Sequence, residues 1–286
     1  MGKFQKERKG MKELELRRLQ IQAEKMLYDI TQVCEKNNLK YFLVFGTAIG
    51  AARHQGFIPW DDDIDIGMPY EDYIKFLKIA PEMLGEDYFV QSALNDNSHI
   101  YAFSKVRKNG TAMIPEGLEK IHTHQGIWID IFPIAYFKND FEYNLKRKLL
   151  PFSTHLVMDD YIFAFEESYS KRLGKTKVSL HKLMYKIPFR LRKYLHDKLN
   201  EYICGGKGKK YCGIIFDLAK KYPYDILEGE IIKMQFENHY YNMMPGYHAF
   251  LKIQYGNYME LPPVDQRVNH SVGILDFNES YEKYLV

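Results

Sequence analysis

The sequence predicts a mixed α+β fold, in which a mixed β-sheet is flanked by helices. Apolar residues recur at helical spacing between Met11 and Cys34, which indicates a long amphipathic helix. Short apolar runs rich in aromatic and branched residues, at 41–45 and 127–132, are typical of buried strands. Because the two kinds of segment alternate through the first half of the chain, helices and sheet are expected to share one core.

The elements that follow the first helix are predicted as strand, turn and strand. The run 41–45 forms the first strand, and the small residues 48–52 then make a helical turn. A second strand runs through 63–66 and is closed by Pro69. This order places a tight turn between two strands that belong to the same core.

A second helix and three more strands complete the first half of the chain. The helix presents the apolar residues of 73–80 on one face and ends at Pro81, because proline lacks the N–H that a helix requires. Pro133 closes the last strand. The three strands are expected at 88–91, 101–105 and 127–132.

Three regions follow from this pattern. Residues 1–140 form the core with its N-terminal helix, and 231–286 form a C-terminal segment that packs back on the core. Between them, 141–230 is a helical and basic elaboration, broken at Gly205-Gly206. The basic stretch 182–210 has two interpretations, a solvated helix face or a surface in contact with anionic lipid.

Composition and charge exclude several classes of protein. Hydrophobic residues make up 46% and charged residues 27% of the chain, as in ordinary globular proteins. The net charge of +3 is too small for a general nucleic-acid binder. Three cysteines in no CxxC pair predict neither disulfides nor a structural zinc site. With no signal-peptide core and no long apolar stretch, we expect a cytoplasmic protein, soluble or peripheral at the inner face of the membrane.

The segment 60–66 contains the residues most indicative of chemistry. Alternation along a strand would place Asp61, Asp63 and Asp65 on one face. Carboxylates in register repel one another, and a divalent cation removes that conflict. Mg²⁺ suits such a site because it takes oxygen ligands from one or two carboxylates together with phosphate and water, and Mn²⁺ can replace it. The simpler interpretation is a set of solvated aspartates near a turn.

Residues before and after this segment extend the candidate site. Gly46-Thr47 directly follows a strand and could hold phosphate oxygens with backbone N–H groups and a hydroxyl. Arg53 could bind phosphate with its two-pronged guanidinium, and His54 could donate to the same group or be structural. Asp130 stands alone among apolar residues of the strand 127–132, where an acid is rare unless it binds a metal or a partner.

With these segments together, the chain resembles the LicD family, whose animal relatives are fukutin and fukutin-related protein. The resemblance runs from about Glu13 to Pro133 and resumes near Arg267. It rests on Gly46-Thr47, on Arg53-His-Gln-Gly-Phe-Ile-Pro-Trp60, on Asp61 to Asp65, on Trp128-Ile-Asp-Ile-Phe-Pro133 and on Tyr255-Gly-Asn-Tyr-Met-Glu-Leu-Pro-Pro263.

The resemblance implies a nucleotidyltransferase-fold core and a metal-dependent phosphotransferase. The metal-binding acids of the family map onto Asp63 and Asp65, with Asp61 a further candidate, and the third acid maps onto Asp130. The implied reaction moves phosphocholine from CDP-choline to a hydroxyl of a cell-surface glycan, such as a lipopolysaccharide or teichoic acid, or of its lipid-linked precursor, and releases CMP. Asp130 would bind the metal or activate the acceptor hydroxyl.

Three alternatives stay open. The alcohol of the CDP donor could be ribitol, glycerol or ethanolamine instead of choline. The chain could be a nucleotidyltransferase that acts on a small-molecule acceptor, since that reaction uses the same turn and acid pair. It could also be a non-catalytic relative that binds nucleotide, although the presence of four aspartates together argues against this.

Overall fold

The computed structural model of this chain describes residues 12–158, 185–216, 218–269 and 272–286. The described helices are α1 (Glu13–Lys36), α2 (Phe45–Ile49), α3 (Tyr70–Leu84), α4 (Asp140–His155), α5 (Phe189–Cys204) and α6 (Tyr247–Tyr255). The strands are β1 (Phe42–Leu43), β2 (Asp65–Pro69), β3 (Tyr88–Gln91), β4 (Ser104–Lys108), β5 (Ala112–Pro115), β6 (Trp128–Phe137), β7 (Tyr211–Ile214), β8 (Tyr222–Pro223), β9 (Ile232–Phe236), β10 (His239–Met243) and β11 (Val272–Asp276). The predicted α+β class is confirmed.

A mixed sheet forms the centre of the molecule, with seven strands among the described residues. Its main path runs β1, β2, β6, β4, β3, and only the β2–β6 pair is parallel within it. The long strand β6 has β2 on one side, and on the other it pairs first with β4 and then with β7. The strand β7 therefore joins the sheet from within the region predicted to be a helical elaboration.

Helices α1 and α3 cover the sheet with their apolar faces. Leu19, Ala23, Met26 and Ile30 of α1 are almost fully buried, at the helical spacing seen in the sequence. Two small two-stranded sheets, β9–β10 and β5–β11, complete the fold. The second of these ties the end of the described chain to the segment after β4. None of the described helices is long and apolar enough to span a membrane.

Two prolines do not end their elements, contrary to expectation. Helix α3 continues through Pro81 to Leu84, because a proline in the last turn removes a single hydrogen bond from a helix anchored by its buried face. Pro133 lies inside β6, between the residues that pair with β4 and those that pair with β7. The missing N–H of Pro133 is tolerated because it falls where the pairing of β6 changes from β4 to β7.

Three strand boundaries also differ from the prediction. Strand β1 ends at Leu43, and Phe45, with a φ of 48°, turns the chain into α2. Strand β4 covers 104–108 instead of 101–105. Strand β2 begins only at Asp65, so Asp61 and Asp63 lie in the preceding loop and not on a strand face. The alternation argument for those two residues was therefore wrong, since it applies only to extended backbone in a sheet.

Candidate active site

Two of the predicted acids are brought together by the parallel strands β2 and β6. Asp65 is the first residue of β2 and lies directly opposite Asp130 of β6 in the register of the pair. Both are buried, at 9% and 8% exposure. The N–H of Asp130 also donates to the carbonyl of Ile64 at 3.0 Å, which extends the pairing back toward the acidic loop. The sheet itself thus places two carboxylates side by side.

The loop before β2 adds three more carboxylates. Asp61, Asp62 and Asp63 each present a ligand atom, and these atoms lie within 4.8 Å of one another. Gln20 of α1 donates to the Asp61 carbonyl at 2.9 Å and so fixes the loop from the helix side. Asp62, which is 3% exposed, was not among the predicted residues because it has the wrong parity for a strand face. Side chains alternate between two faces only along a strand, so this reason for leaving out Asp62 does not apply in a loop.

Asp65 is influenced by the charges of the neighbouring acids. Burial raises the pKa of Asp65 well above its ordinary value, and the nearby charges of Asp63, Asp130 and Asp61 raise it further, while Lys105 opposes them. Carboxylates this close are a suitable ligand set for a hard divalent cation such as Mg²⁺ or Mn²⁺. The donor set therefore fits the predicted metal.

Gly46 and Thr47 are held against the acids. A β-carbon on Gly46 would lie 2.7 Å from Oδ2 of Asp61, so glycine allows this close approach. The buried hydroxyl of Thr47 accepts the N–H of Asp65 at 2.9 Å. Both residues thus border the site, Thr47 through the first residue of β2. Their predicted contacts with phosphate remain a prediction.

Lys105 was missed by the sequence analysis and occupies a central place. Its ammonium forms an ion pair with Oδ1 of Asp130, and both side chains are largely buried. The indole N–H of Trp128 donates to Oδ2 of the same carboxylate at 3.3 Å. Lys105 fell at the end of a predicted strand, and its partner could be found only from the register between β4 and β6.

Arg53 contacts the C-terminal segment in this structure, and His54 contacts Arg53. They lie in a π-helical turn, Gly50–His54, that continues α2. Nη1 of Arg53 donates to the carbonyls of Tyr258 and Glu260, at 2.6 and 3.0 Å. Nε of Arg53 donates to Nε2 of His54 at 2.9 Å, so only Nδ1 of that ring can carry the proton of a neutral His54. Their predicted contact with phosphate remains a prediction.

The local environment lowers the pKa of both side chains. For Arg53 the causes are burial and then the charge of Arg267, and for His54 they are burial and then Arg53. Arg267 itself lies over the ring of Trp60, 5.1 Å from its centroid. Two guanidinium groups therefore lie near each other, beside the residue that begins the acidic loop.

Tyr255, at the end of α6, is a second residue that the sequence did not assign to the site. Withdrawal from water raises the pKa of its hydroxyl, and the charges of Asp65 and Asp61 raise it further. The segment 255–263 was noted as a family motif, but nothing local in it indicates contact with residues almost 200 positions earlier. The C-terminal segment thus binds Arg53, and the charges of the acids act on its Tyr255.

A cavity of about 1300 Å³ lies elsewhere in the molecule. It is lined by residues of α3, of the loop after β3 and of α5, among them Tyr70, Tyr101 and Glu201. None of the five aspartates is among its described lining residues. The carboxylates are the groups that could bind a divalent cation. The acidic cluster, and not this cavity, is therefore the candidate active site.

Comparisons with known proteins show the family to which the chain belongs. The model of the family described as "LicD/FKTN/FKRP, nucleotidyltransferase domain" matches residues 38–189, more than half of the chain. The chain is 29% identical over 281 residues to the lipopolysaccharide cholinephosphotransferase LicD of Haemophilus influenzae, covering 92% of this chain and 98% of that protein.

Two shorter similarities were also found. An uncharacterized protein of Rickettsia typhi is 49% identical over 57 residues, 20% of this chain and 18% of that protein. The human ribitol 5-phosphate transferase FKRP is 44% identical over 43 residues, 15% of this chain and 9% of that protein.

Proposed function

The chain belongs to the LicD/FKTN/FKRP family, and from that premise we propose that it transfers a phospho-alcohol to a glycan. Membership of this family indicates a phosphotransferase. The proposed donor is a CDP-alcohol, with CDP-choline first, and the proposed acceptor is a hydroxyl of a cell-surface glycan or of its lipid-linked precursor. In the balanced reaction the acceptor oxygen bonds to the outer phosphorus, the bond between the two phosphates breaks, and CMP leaves.

Similarity along the chain favours phosphocholine over the other alcohols. The cholinephosphotransferase of Haemophilus influenzae aligns with 92% of this chain, whereas the ribitol 5-phosphate transferase aligns with 15%. A match of nearly full length covers most of the residues that could contact the alcohol or the acceptor, whereas a match over 43 residues covers few of them. Ribitol, glycerol and ethanolamine phosphate are therefore the second group of candidates.

The observation that supports catalysis is the convergence of carboxylates at the start of β2 and β6. Asp63, Asp65 and Asp130 are the proposed ligands of Mg²⁺ or Mn²⁺, with Asp61 and Asp62 next to them. The ion would supply charge neutralisation for the diphosphate as CMP departs. Asp130 would also be placed to accept the proton of the acceptor hydroxyl.

Groups on the other side of the acidic loop are proposed to bind the donor. The charge of Arg267 lowers the pKa of Arg53, and Arg267 is stacked on Trp60. Guanidinium groups bind phosphate through two parallel hydrogen bonds. Gly46 and Thr47 border the same loop. A diphosphate between these groups and the carboxylates would meet positive charge on one side and the metal on the other.

The test uses purified protein with Mg²⁺, a glycan acceptor and each of CDP-choline, CDP-ribitol, CDP-glycerol and CDP-ethanolamine. We expect acceptor-dependent release of CMP, fastest with CDP-choline, and none from an Asp65→Asn variant. Release of pyrophosphate from CTP with a small acceptor would indicate nucleotidyl transfer instead. Binding of CDP-choline without any turnover would indicate a non-catalytic relative.

A further inference from the structure

Lys105 places a buried cation within the row of acids. Register pairs Lys105 of β4 with Asp130 of β6, and Asp130 with Asp65 of β2. The three residues therefore form one row across three adjacent strands, with their side chains on one face of the sheet. The row contains one basic side chain, Lys105, and two acidic ones, Asp130 and Asp65.

The surroundings of Lys105 restrict where its ammonium can go. Lys105 is 7% exposed, and its Nζ lies 4.6 Å from the ring centroid of Trp128 and 5.3 Å from that of Phe103. Contacts with aromatic faces stabilise a desolvated ammonium and hold its position. Since Trp128 also donates to Asp130 at 3.3 Å, the same indole contacts both members of the ion pair.

The carboxylate of Asp130 is consequently held from two directions. Lys105 pairs with Oδ1 and Trp128 donates to Oδ2, so the plane of the carboxylate is fixed before any ligand arrives. Each oxygen can accept a further interaction. The charge of Lys105 also reduces the negative charge that an incoming divalent cation would meet. These two effects of Lys105 have opposite consequences. The fixed orientation improves the geometry of Asp130 for a ligand, whereas the positive charge weakens the attraction between the carboxylates and a divalent cation.

We propose that Lys105 is a positioning residue of the phosphotransfer site, one that orients Asp130 and at the same time lowers the affinity of the carboxylates for a divalent cation. This inference rests on the proposed function. It implies that the site is built for turnover and not for the tightest metal binding. Loss of the charge at position 105 should strengthen metal binding and slow the reaction, a combination that general damage to the fold does not produce.

The experiment measures binding of Mn²⁺ alone by calorimetry, and then steady-state kinetics at saturating Mn²⁺. For Lys105→Met we expect Mn²⁺ to bind roughly three- to tenfold more tightly, because one nearby positive charge is gone. We expect kcat to fall at least tenfold with the KM for CDP-choline little changed. Lys105→Gln keeps a donor to Asp130 without the charge, so it should bind Mn²⁺ as tightly as Lys105→Met but retain more activity. Lys105→Arg should restore wild-type affinity for Mn²⁺.

A matched control is provided by Lys146. It is also a buried lysine in an ion pair, 3.1 Å from Glu142 on α4, but it belongs to a different part of the molecule. Lys146→Met should lower Tm without changing the affinity for Mn²⁺. If Lys105→Met fails to fold, Lys105→Gln and Lys105→Arg still compare a neutral with a positively charged side chain at this position.

The outcomes separate this inference from the proposed function. If the wild type binds Mn²⁺ and the neutral variants at position 105 bind it equally or more weakly, the inference is wrong and the metal site stands. A raised KM for CDP-choline with unchanged Mn²⁺ affinity would mean that Lys105 binds the donor, which also overturns the inference. If the wild type binds no Mn²⁺, the metal assignment fails first, and the role of Lys105 fails with it.

Discussion

Replacing Asp65 by asparagine should stabilise the metal-free protein while abolishing transfer. Asparagine keeps the shape of the side chain and the 2.9 Å hydrogen bond from the backbone N–H of residue 65 to Thr47. It removes a buried charge whose pKa is raised well above its ordinary value by burial and by Asp63, Asp130 and Asp61. A carboxylate in this position opposes folding whenever it is ionised. Function, not stability, would explain its presence.

The sign of the pH dependence follows from the raised pKa. Between its unfolded-state pKa and its raised folded-state pKa, Asp65 holds a proton in the folded protein that it has lost in the unfolded chain, so stability falls as pH rises through this range and levels off above the folded-state pKa. The variant should therefore gain about 1–3 kcal/mol in the free energy of unfolding once wild-type Asp65 is ionised, the scale of an uncompensated buried polar group. The gain should shrink toward pH 4.

The assay is urea unfolding in EDTA at pH 4.5, 6 and 8, followed by circular dichroism. Asp96→Asn is the matched control, since Asp96 is a partly buried carboxylate that accepts hydrogen bonds from Gln91, Thr123 and Ser98. Burial alone would raise the pKa of Asp96, but these hydrogen bonds outweigh it and lower that pKa. Asp96→Asn should therefore destabilise the protein.

Addition of Mn²⁺ should make the wild type more stable than the Asp65→Asn variant. At a concentration one hundred times its Kd, a ligand that binds only the folded state adds about 2.7 kcal/mol. Wild type should gain this and the Asp65→Asn variant should gain less. If Asp65→Asn instead destabilises the metal-free protein at pH 8 as much as Asp96→Asn does, Asp65 is a structural residue and the electrostatic argument is wrong.

Three further outcomes are expected. Excess EDTA should abolish CMP release and Mg²⁺ or Mn²⁺ should restore it, whereas full turnover in chelator would contradict a metal-dependent reaction. Arg53→Lys keeps the charge but loses the planar guanidinium, whose Nη1 donates to the carbonyls of Tyr258 and Glu260 and whose fork would bind phosphate. The value of kcat should therefore fall by more than the loss of Tm explains, and wild-type kinetics would make the turn purely structural. Burial lowers the pKa of His99 to about 3, and its unfolded value is near 6.5, so stability should fall by up to about 1.4 kcal/mol per pH unit as pH drops between those values. His99→Gln should flatten that slope in urea titrations, and an unchanged slope would assign the acid sensitivity elsewhere.

The acids could be predicted from the sequence because their signal is local. Asp61, Asp63 and Asp65 stand within five residues, and Asp130 is conspicuous as one acid in an apolar strand. Their side-by-side arrangement is less local. The argument from strand alternation gave the right neighbours for the wrong reason, because only Asp65 and Asp130 lie on strands. Asp61 reaches the site through a loop held by Gln20, which is 41 residues away.

The residues that the sequence did not identify all depend on long-range geometry. Lys105 becomes meaningful only when the register of β4 against β6 places it opposite Asp130. Tyr255 depends on where α6 packs, and the contacts of Arg53 depend on the same C-terminal segment. Hydrophobic periodicity contains no information on register between strands that are 20 or more residues apart.

Strand register also explains why such a site can tolerate its own repulsion. Ile66, Ile129 and Ile131, on the strands that carry Asp65 and Asp130, and Ile64, directly before β2, are fully buried. The burial of four branched side chains supplies several kcal/mol of hydrophobic stabilisation. One face of β2 and β6 thus stabilises the sheet while the opposite face brings carboxylates together. A one-residue slip would exchange the two faces and bury the acids in the apolar core. The isoleucines therefore enforce the register that the chemistry requires, and their burial opposes any separation of β2 and β6 by the repulsion at Asp65.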